Sequence, residues 1–284
     1  MPDVIAVLGA TGRTGGATAR HLLARGAAVR AITRDPDGAQ ARMLALAGVD
    51  VQTADMSDVE TLREALRGAT RLFNVQPAFD GRGRHDRELE LVQGRAVATA
   101  ASAEGVGHVV QLAAGHGRRT GVPHLDTKLD IRAWFEEAGI PVSFVCPAPF
   151  MELMVDPSFA PAISTWGAEP RVIGWDDPKP WVAVDDIGRI AADLLTTPPP
   201  SVSHELAVTG DVRSLRECRK ILDQLKLAPR RLPFPVPAWA FRAVAGGELL
   251  EMWRWGAQNE AFVTSNDLLD VPTWARGLAG RTAA

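Results

Sequence analysis

Apolar residues along this chain recur in two rhythms. Short unbroken runs read as buried strands, and stretches with apolar positions every three or four residues read as amphipathic helices. The first run, Val4–Leu8, passes directly into Gly9-Ala10-Thr11-Gly12-Arg13-Thr14-Gly15-Gly16. A helical pattern over residues 17–25 follows, closed by Gly26, and then a second run, Ala28–Thr33, that ends at Arg34. Further strand-like runs fall at 49–53, 71–75, 106–113 and 142–146, with helical patterns at 39–47, Val59–Leu66, Arg87–Ala103 and 128–138 between them. Strands regularly separated by helices predict an α/β fold, a parallel sheet doubly wound by helices on both faces.

After Cys146 the alternation breaks down. Pro147, Pro149, Pro157, Pro161, Pro170, Pro178 and Pro180 punctuate the chain, and residues 181–184 read as a further strand. Asp185-Asp186 then reads as the cap of a helix over 187–195. A short strand is expected at His204–Val208, an amphipathic helix at 215–225, and helix again from 237–250 onward. Residues 1–149 and 182–210 are therefore expected to form one domain. Residues 150–181 and 211–284 are expected to form a smaller, mostly helical lobe. Of the eight tryptophans all but Trp134 lie beyond residue 150, which suggests an aromatic ligand cleft in that lobe, while for most of them singly a place in its core is the expected role.

The glycine turn carries the first chemistry. Gly9, Gly12 and Gly15 lie between a strand and a helix, the opening of a dinucleotide-binding βαβ unit. Gly9 permits the tight turn, Gly12 lets a pyrophosphate approach backbone amides at the helix N-terminus, and Gly15 lets helix and strand pack closely. An acidic residue at the end of the second strand would mark NAD; here Thr33-Arg34 stands in its place, with Asp35 one residue late. A guanidinium suits a 2′-phosphate, so the expected cofactor is NADP(H), with Arg34 on the phosphate and Arg13 approaching from the other side.

Composition narrows the partners. A formal charge of −3 over 284 residues, without a basic run, gives no electrostatic case for nucleic acid or an anionic membrane. No stretch approaches a spanning helix, and the chain enters a strand at once, so a cytoplasmic location is expected. Cys146 and Cys218 read as reduced, buried thiols. The six histidines show no metal spacing with either cysteine, so no metal site is expected. A homodimer stays open.

The turn from Gly9 to Gly15, the arginine after the second strand, Ala54-Asp55-Met56, and His124-Leu125-Asp126-Thr127-Lys128 together resemble the NmrA-like family of atypical short-chain dehydrogenases/reductases. Pro147-Ala148-Pro149-Phe150-Met151-Glu152-Leu153 and Val182-Ala183-Val184-Asp185-Asp186-Ile187 fit the same pattern. The resemblance implies a Rossmann domain binding NADP(H) and a small lobe closing over a substrate cleft. It places Asp55, with Met56, at the adenine, and Asn74, Val75 and Gln76 along the cofactor. Lys128 falls on the nicotinamide ribose, Ala113 and Pro147 at the strand ends beside it, and Phe150, Met151, Glu152 and Leu153 along the nicotinamide wall.

The usual site of the wider superfamily pairs a tyrosine with a lysine four residues later and adds a serine. This chain has no tyrosine. His124 stands at that spacing from Lys128, and alanines occupy the serine position at Ala113-Ala114. Three readings stay open. His124, or His116 on the loop after the fifth strand, donates the proton; or the acceptor is an iminium ion, quinone or activated double bond that needs no such donor; or the protein senses NADP(H) without turnover. The first two make it an NADPH-dependent oxidoreductase of a small apolar or aromatic substrate.

Overall fold

The computed structural model describes residues 3–77, 84–114, 117–158, 164–230, 239, 242, 247–259 and 267–282. Seven strands form one parallel sheet: β1 (Val4–Leu8), β2 (Ala28–Thr33), β3 (Asp50–Thr53), β4 (Ala69–Asn74), β5 (His108–Leu112), β6 (Val142–Pro147) and the late arrival β8 (His204–Val208). Their order is β3-β2-β1-β4-β5-β6-β8, so the chain starts in the middle, winds out to β3 and restarts on the other flank of β1. Ligands of such sheets bind beyond the carboxyl ends of the strands, near that reversal.

Each central strand is buried on both faces, which is why these runs are apolar throughout and do not alternate with polar residues. Ala6, Leu8, Leu72, Val109 and Phe144 face a layer made by α3 (Val59–Leu66), α4 (Arg87–Ala103) and α5 (Pro123–Glu137). Ile5, Val7, Phe73, Val110 and Val145 face α1 (Arg13–Ala24) and α7 (Val184–Thr196); α2 (Ala39–Leu46) contributes Leu44. Two helix pairs approach at glycine. A Cβ on Gly188 of α7 would lie 2.5 Å from the Ala17 methyl of α1, and one on Gly94 of α4 would lie 2.3 Å from Ile131 Cγ1 of α5. These contacts fix how the helices sit above the sheet.

A third apolar cluster gathers the elements after β6. It joins Met151 and Met154 of a 3₁₀ turn to Trp166, to Trp181 of β7 (Pro180–Trp181), to Leu215, Cys218 and Leu222 of α8 (Leu215–Gln224), and to Val271 and Trp274 of α10 (Val271–Thr282). β7 pairs antiparallel with β9 (Asp211–Val212). α6 (Glu169–Ile173) and α9 (Glu248–Asn259) meet around Ala168 and Leu250.

Several expectations are corrected. The first helix starts at Arg13, because the turn's last residues already belong to it. The fifth starts at Pro123, whose fixed φ and missing N–H suit a first turn, and so it takes in His124. The strand expected over 181–184 shortens to Pro180–Trp181 in a separate two-stranded ladder, because Val184 already opens α7. Asp185 and Asp186 lie inside that first turn and Ala183 is the cap residue. Trp166, Trp181 and Trp274 take the core role expected of most single tryptophans here, their indole N–H groups satisfied internally by Met154 O, Arg213 O and the Glu152 carboxylate respectively. Most of the helix expected over 237–250 lies outside the described residues.

Candidate functional site: a glycine cradle and a buried charge cluster

The glycine turn has the shape of an anion cradle. Gly9 sits at φ +63°, and Gly12 N–H donates to Gly9 O at 2.8 Å, closing the turn. A Cβ on Gly15 would come within 2.3 Å of Gly9 O, so only glycine fits there. Gly12 caps α1 without any side-chain hydrogen bond, and the first turn holds no acid. The protein therefore leaves that helix N-terminus open to a negative ligand. Ala10 and Thr14 are buried and Thr11 is exposed beside it. Arg13 departs from expectation. Its guanidinium is committed to Asp156 Oδ2 at 2.8 Å and Ser158 Oγ at 2.7 Å, across from the turn.

At the end of β2, Arg34 is exposed and makes no ion pair among the described residues. The Asp35 carboxylate lies over Gly38, where a Cβ would be 2.8 Å from Oδ2. Asp55 is exposed after β3 and accepts from Ser57 N at 2.8 Å, while Met56 packs against the core. At the end of β4, Gln76 Nε2 donates to Asn74 Oδ1 at 2.6 Å. Asn74 Nδ2 and Gln76 Oε1 have no hydrogen-bond partner among the described residues. Val75 Cγ1 abuts Gly9 from this loop. Buried amides with unmet valence are rare in a finished fold, and these lie at the reversal between β1 and β4. Cradle, open helix end and strand edge together fit a dinucleotide.

On the other side, Ala113 is buried at the end of β5, and His116 lies outside the described residues. Pro147 closes β6, and Phe150 bridges to Val182. Met151 is fully buried in the third cluster. Glu152 accepts from Val184 N–H and from Trp274 Nε1, both at 3.1 Å, and burial pushes its carboxyl up. Met151 and Glu152 therefore brace this segment against the C-terminal elements.

Lys128 and His124 lie in the first two turns of α5, where sequence spacing put them, but both are buried. The Lys128 ammonium contacts Glu90 Oε1 of α4. Glu90 Oε2 accepts the Thr127 hydroxyl at 2.6 Å and lies 2.6 Å from His85 Nε2. His85 Nδ1 lies 2.9 Å from Glu248 Oε1 of α9, which also accepts His124 N–H at 2.5 Å. Burial lowers Lys128 to about 7, with Glu248 opposing, and burial with His85 nearby lowers His124 to about 3. Burial also pulls His85 down, against Glu248. A ring with a value near 3 is neutral at pH 7, so His124 has no imidazolium proton to donate.

His85, Glu90 and His124 bring possible ligand atoms within 4.8 Å of one another, an arrangement the sequence spacing did not reveal. The carboxylate among them already holds the Lys128 ammonium and the Thr127 hydroxyl, so a cation would have to displace another positive charge. His85, Glu90 and Glu248 were all missed from sequence. Glu90 alone left a trace: it stands on the buried stripe of α4, in line with Gln93, Gly94, Val97 and Ala101. A lone acid in such a stripe calls for a buried partner.

The NmrA-like family model matches residues 1–225. The NmrA-like family domain-containing oxidoreductase himF of Aspergillus japonicus is 28% identical over 218 residues, covering 69% of this chain and 65% of its own length. The NAD(P)H azoreductase of Xenophilus azovorans is 30% identical over 203 residues, covering 69% and 64%. The chain thus aligns with slightly less than two thirds of either relative. Among solved structures, the Citrobacter triphenylmethane reductase complexed with NADP(H) superposes with a TM-score of 0.71 over 96% of this chain and 99% of that one, at 22% identity, a likeness of fold. Among the described residues no helix is long and apolar enough to cross a membrane.

Proposed function

Because the chain belongs to the NmrA-like family, we propose that it is an NADPH-dependent oxidoreductase of small apolar or aromatic acceptors, of the quinone, iminium, enone or ketone class. The observation that carries this reading is the uncapped N-terminus of α1 above Gly9, Gly12 and Gly15, a site built for a pyrophosphate. The exposed Arg34, free of an ion pair among the described residues, supports NADP(H) over NAD(H). The azoreductase relative and the triphenylmethane reductase of like fold support an acceptor of conjugated, dye-like chemistry.

Gly9, Ala10, Thr11, Gly12 and Thr14 would hold the pyrophosphate, Arg34 the 2′-phosphate, and Asp55 with Met56 the adenine side. Asn74, Val75, Gln76, Ala113, Pro147 and Phe150 would border the nicotinamide half. Bound NADPH supplies a hydride. Lys128 packs against the end of β5, where its carbonyl accepts Gln111 Nε2 at 3.0 Å, and its proton affinity is close enough to neutrality to hold or release a proton there. Residues 150–181 and 211–284 would form the lobe that excludes water from the acceptor.

The test is NADPH consumption by the full chain against a benzoquinone, a triarylmethane cation and an azo dye, with cofactor affinity measured by calorimetry. Turnover of any of these above the rate in buffer is expected. Tight NADPH binding with no turnover of any acceptor would overturn the enzyme reading in favour of a cofactor-sensing protein.

A further inference from the structure

His85 has a carboxylate oxygen on each ring nitrogen, Glu90 Oε2 at 2.6 Å from Nε2 and Glu248 Oε1 at 2.9 Å from Nδ1. Both separations are hydrogen-bond lengths, so each contact contains a hydrogen. A neutral imidazole owns one N–H and would turn a lone pair on the other carboxylate. The Glu90 side is fixed by its other partners. Its Oε1 faces the Lys128 ammonium and its Oε2 takes the Thr127 hydroxyl, so it is an accepting carboxylate and Nε2–H is the donor. The second hydrogen then lies between Nδ1 and Glu248, on the nitrogen or on the oxygen. Charge counting agrees. Among the described residues, Lys128, Glu90, His85 and Glu248 sum to zero with that proton, and without it these four carry a net negative charge. A further acid acting on His85 among the described residues, Asp86, is exposed, and the neutral His124 ring lies 5.2 Å away edge to face.

We infer that the His85 Nδ1–Glu248 Oε1 contact holds one exchangeable proton, and that Glu248, His85, Glu90 and Lys128 form a proton wire serving the step the missing tyrosine would perform. The wire rests on the oxidoreductase reading, whereas the stored proton stands without it. Side-chain exposure falls along the wire from 23% at Glu248 to 0% at His85 and Glu90, and is 6% at Lys128. Solvent therefore reaches the α9 end, and at the other end the Lys128 carbonyl accepts Gln111 Nε2 one residue before β5 ends. When a quinone accepts a hydride from NADPH it gains two electrons, and one of its oxygens becomes a phenolate. Lys128 gives that oxygen a proton: an N–H bond breaks and an O–H bond forms. The amine is recharged through the Glu90 carboxyl from His85 Nε2. His85 then draws the shared proton from Glu248 onto Nδ1, Glu248 takes one from water, and a flip of the neutral ring brings its N–H back to Glu90 for the next cycle. The sum is quinone plus NADPH plus one proton, giving hydroquinone and NADP⁺.

Two measurements on the full chain test this. Carbon-13 and nitrogen-15 spectra at neutral pH without cofactor should show either a proton-bearing Nδ1 on His85 or a Glu248 carboxyl carbon at its acid position. A bare Nδ1 beside an ionised Glu248 overturns the stored proton. The second measurement follows single-turnover NADPH oxidation with a benzoquinone and with a triarylmethane cation, which takes a hydride and needs no proton. Glu248→Gln should lower the quinone-to-dye rate ratio about tenfold or more and raise the solvent isotope effect on the quinone, as expected for a lost proton supply. Glu248→Asp should restore part of the ratio. A ratio unchanged in Glu248→Gln overturns the wire. A wild-type protein that reduces neither acceptor overturns the wire together with the oxidoreductase reading, and the spectra still decide the stored proton.

Discussion

At the scale of single residues, the proposed preference for NADP(H) turns on Arg34. It follows directly on β2, exposed, while the neighbouring acid Asp35 is turned back over Gly38. A guanidinium on a 2′-phosphate makes charge-assisted hydrogen bonds worth about 1.5–3 kcal/mol, roughly ten- to a hundredfold in affinity. Arg34→Asp should therefore weaken NADPH by about that factor and leave NADH within a few-fold, as read by calorimetry; equal losses would dissociate Arg34 from the phosphate. Arg13, expected beside it, is held by Asp156 and Ser158. Nothing in the local sequence announces that pairing, because its partners lie more than a hundred residues away.

At the level of elements, legibility follows the range of the forces involved. β1, β2, α3, α4 and β8 could be bounded from sequence because apolar periodicity and glycine punctuation are local. The helix α8 is another such case. Ser214 accepts from Glu217 N–H while the Glu217 carboxylate accepts from Ser214 N–H at 2.8 Å, a reciprocal cap that also holds the Glu217 carboxyl low. Ser214→Ala should cost about 1 kcal/mol in urea unfolding, the usual cost of a lost N-cap. In contrast, β7 was drawn too long and the role of each tryptophan stayed open, since whether Trp181 is wall or core depends on what α8 and α10 bring against it. The same holds for the charge cluster. His124 and Lys128 were visible as a spacing, but Glu90 and Glu248 reach them from two other helices.

At the level of the whole molecule, the elements beyond β6 are joined by a second buried charge pair, Lys179 with Glu169. The Lys179 ammonium also lies 4.1 Å from the centre of the Trp181 ring. Burial pushes the Glu169 carboxyl up even with the lysine beside it. Lys179→Met should strand that carboxylate and destabilise the protein by about 3–5 kcal/mol near neutral pH in urea unfolding. A carboxyl whose folded pKa exceeds its unfolded one binds its proton more tightly when folded. The deficit should therefore shrink as pH falls towards that folded value, and Glu169→Gln added to Lys179→Met should recover part of the loss. The sheet itself has a consequence for how the protein is made. β6 finds its outer neighbour only when β8 arrives, after an intervening stretch that supplies only part of the third cluster, including Met151, Met154, Trp166 and Trp181. On a ribosome adding roughly 5–20 residues per second, the β6 edge stays unpaired for a few seconds. An apolar strand with open hydrogen bonds invites pairing with another nascent chain in that interval, so the protein's most exposed moment comes during its synthesis.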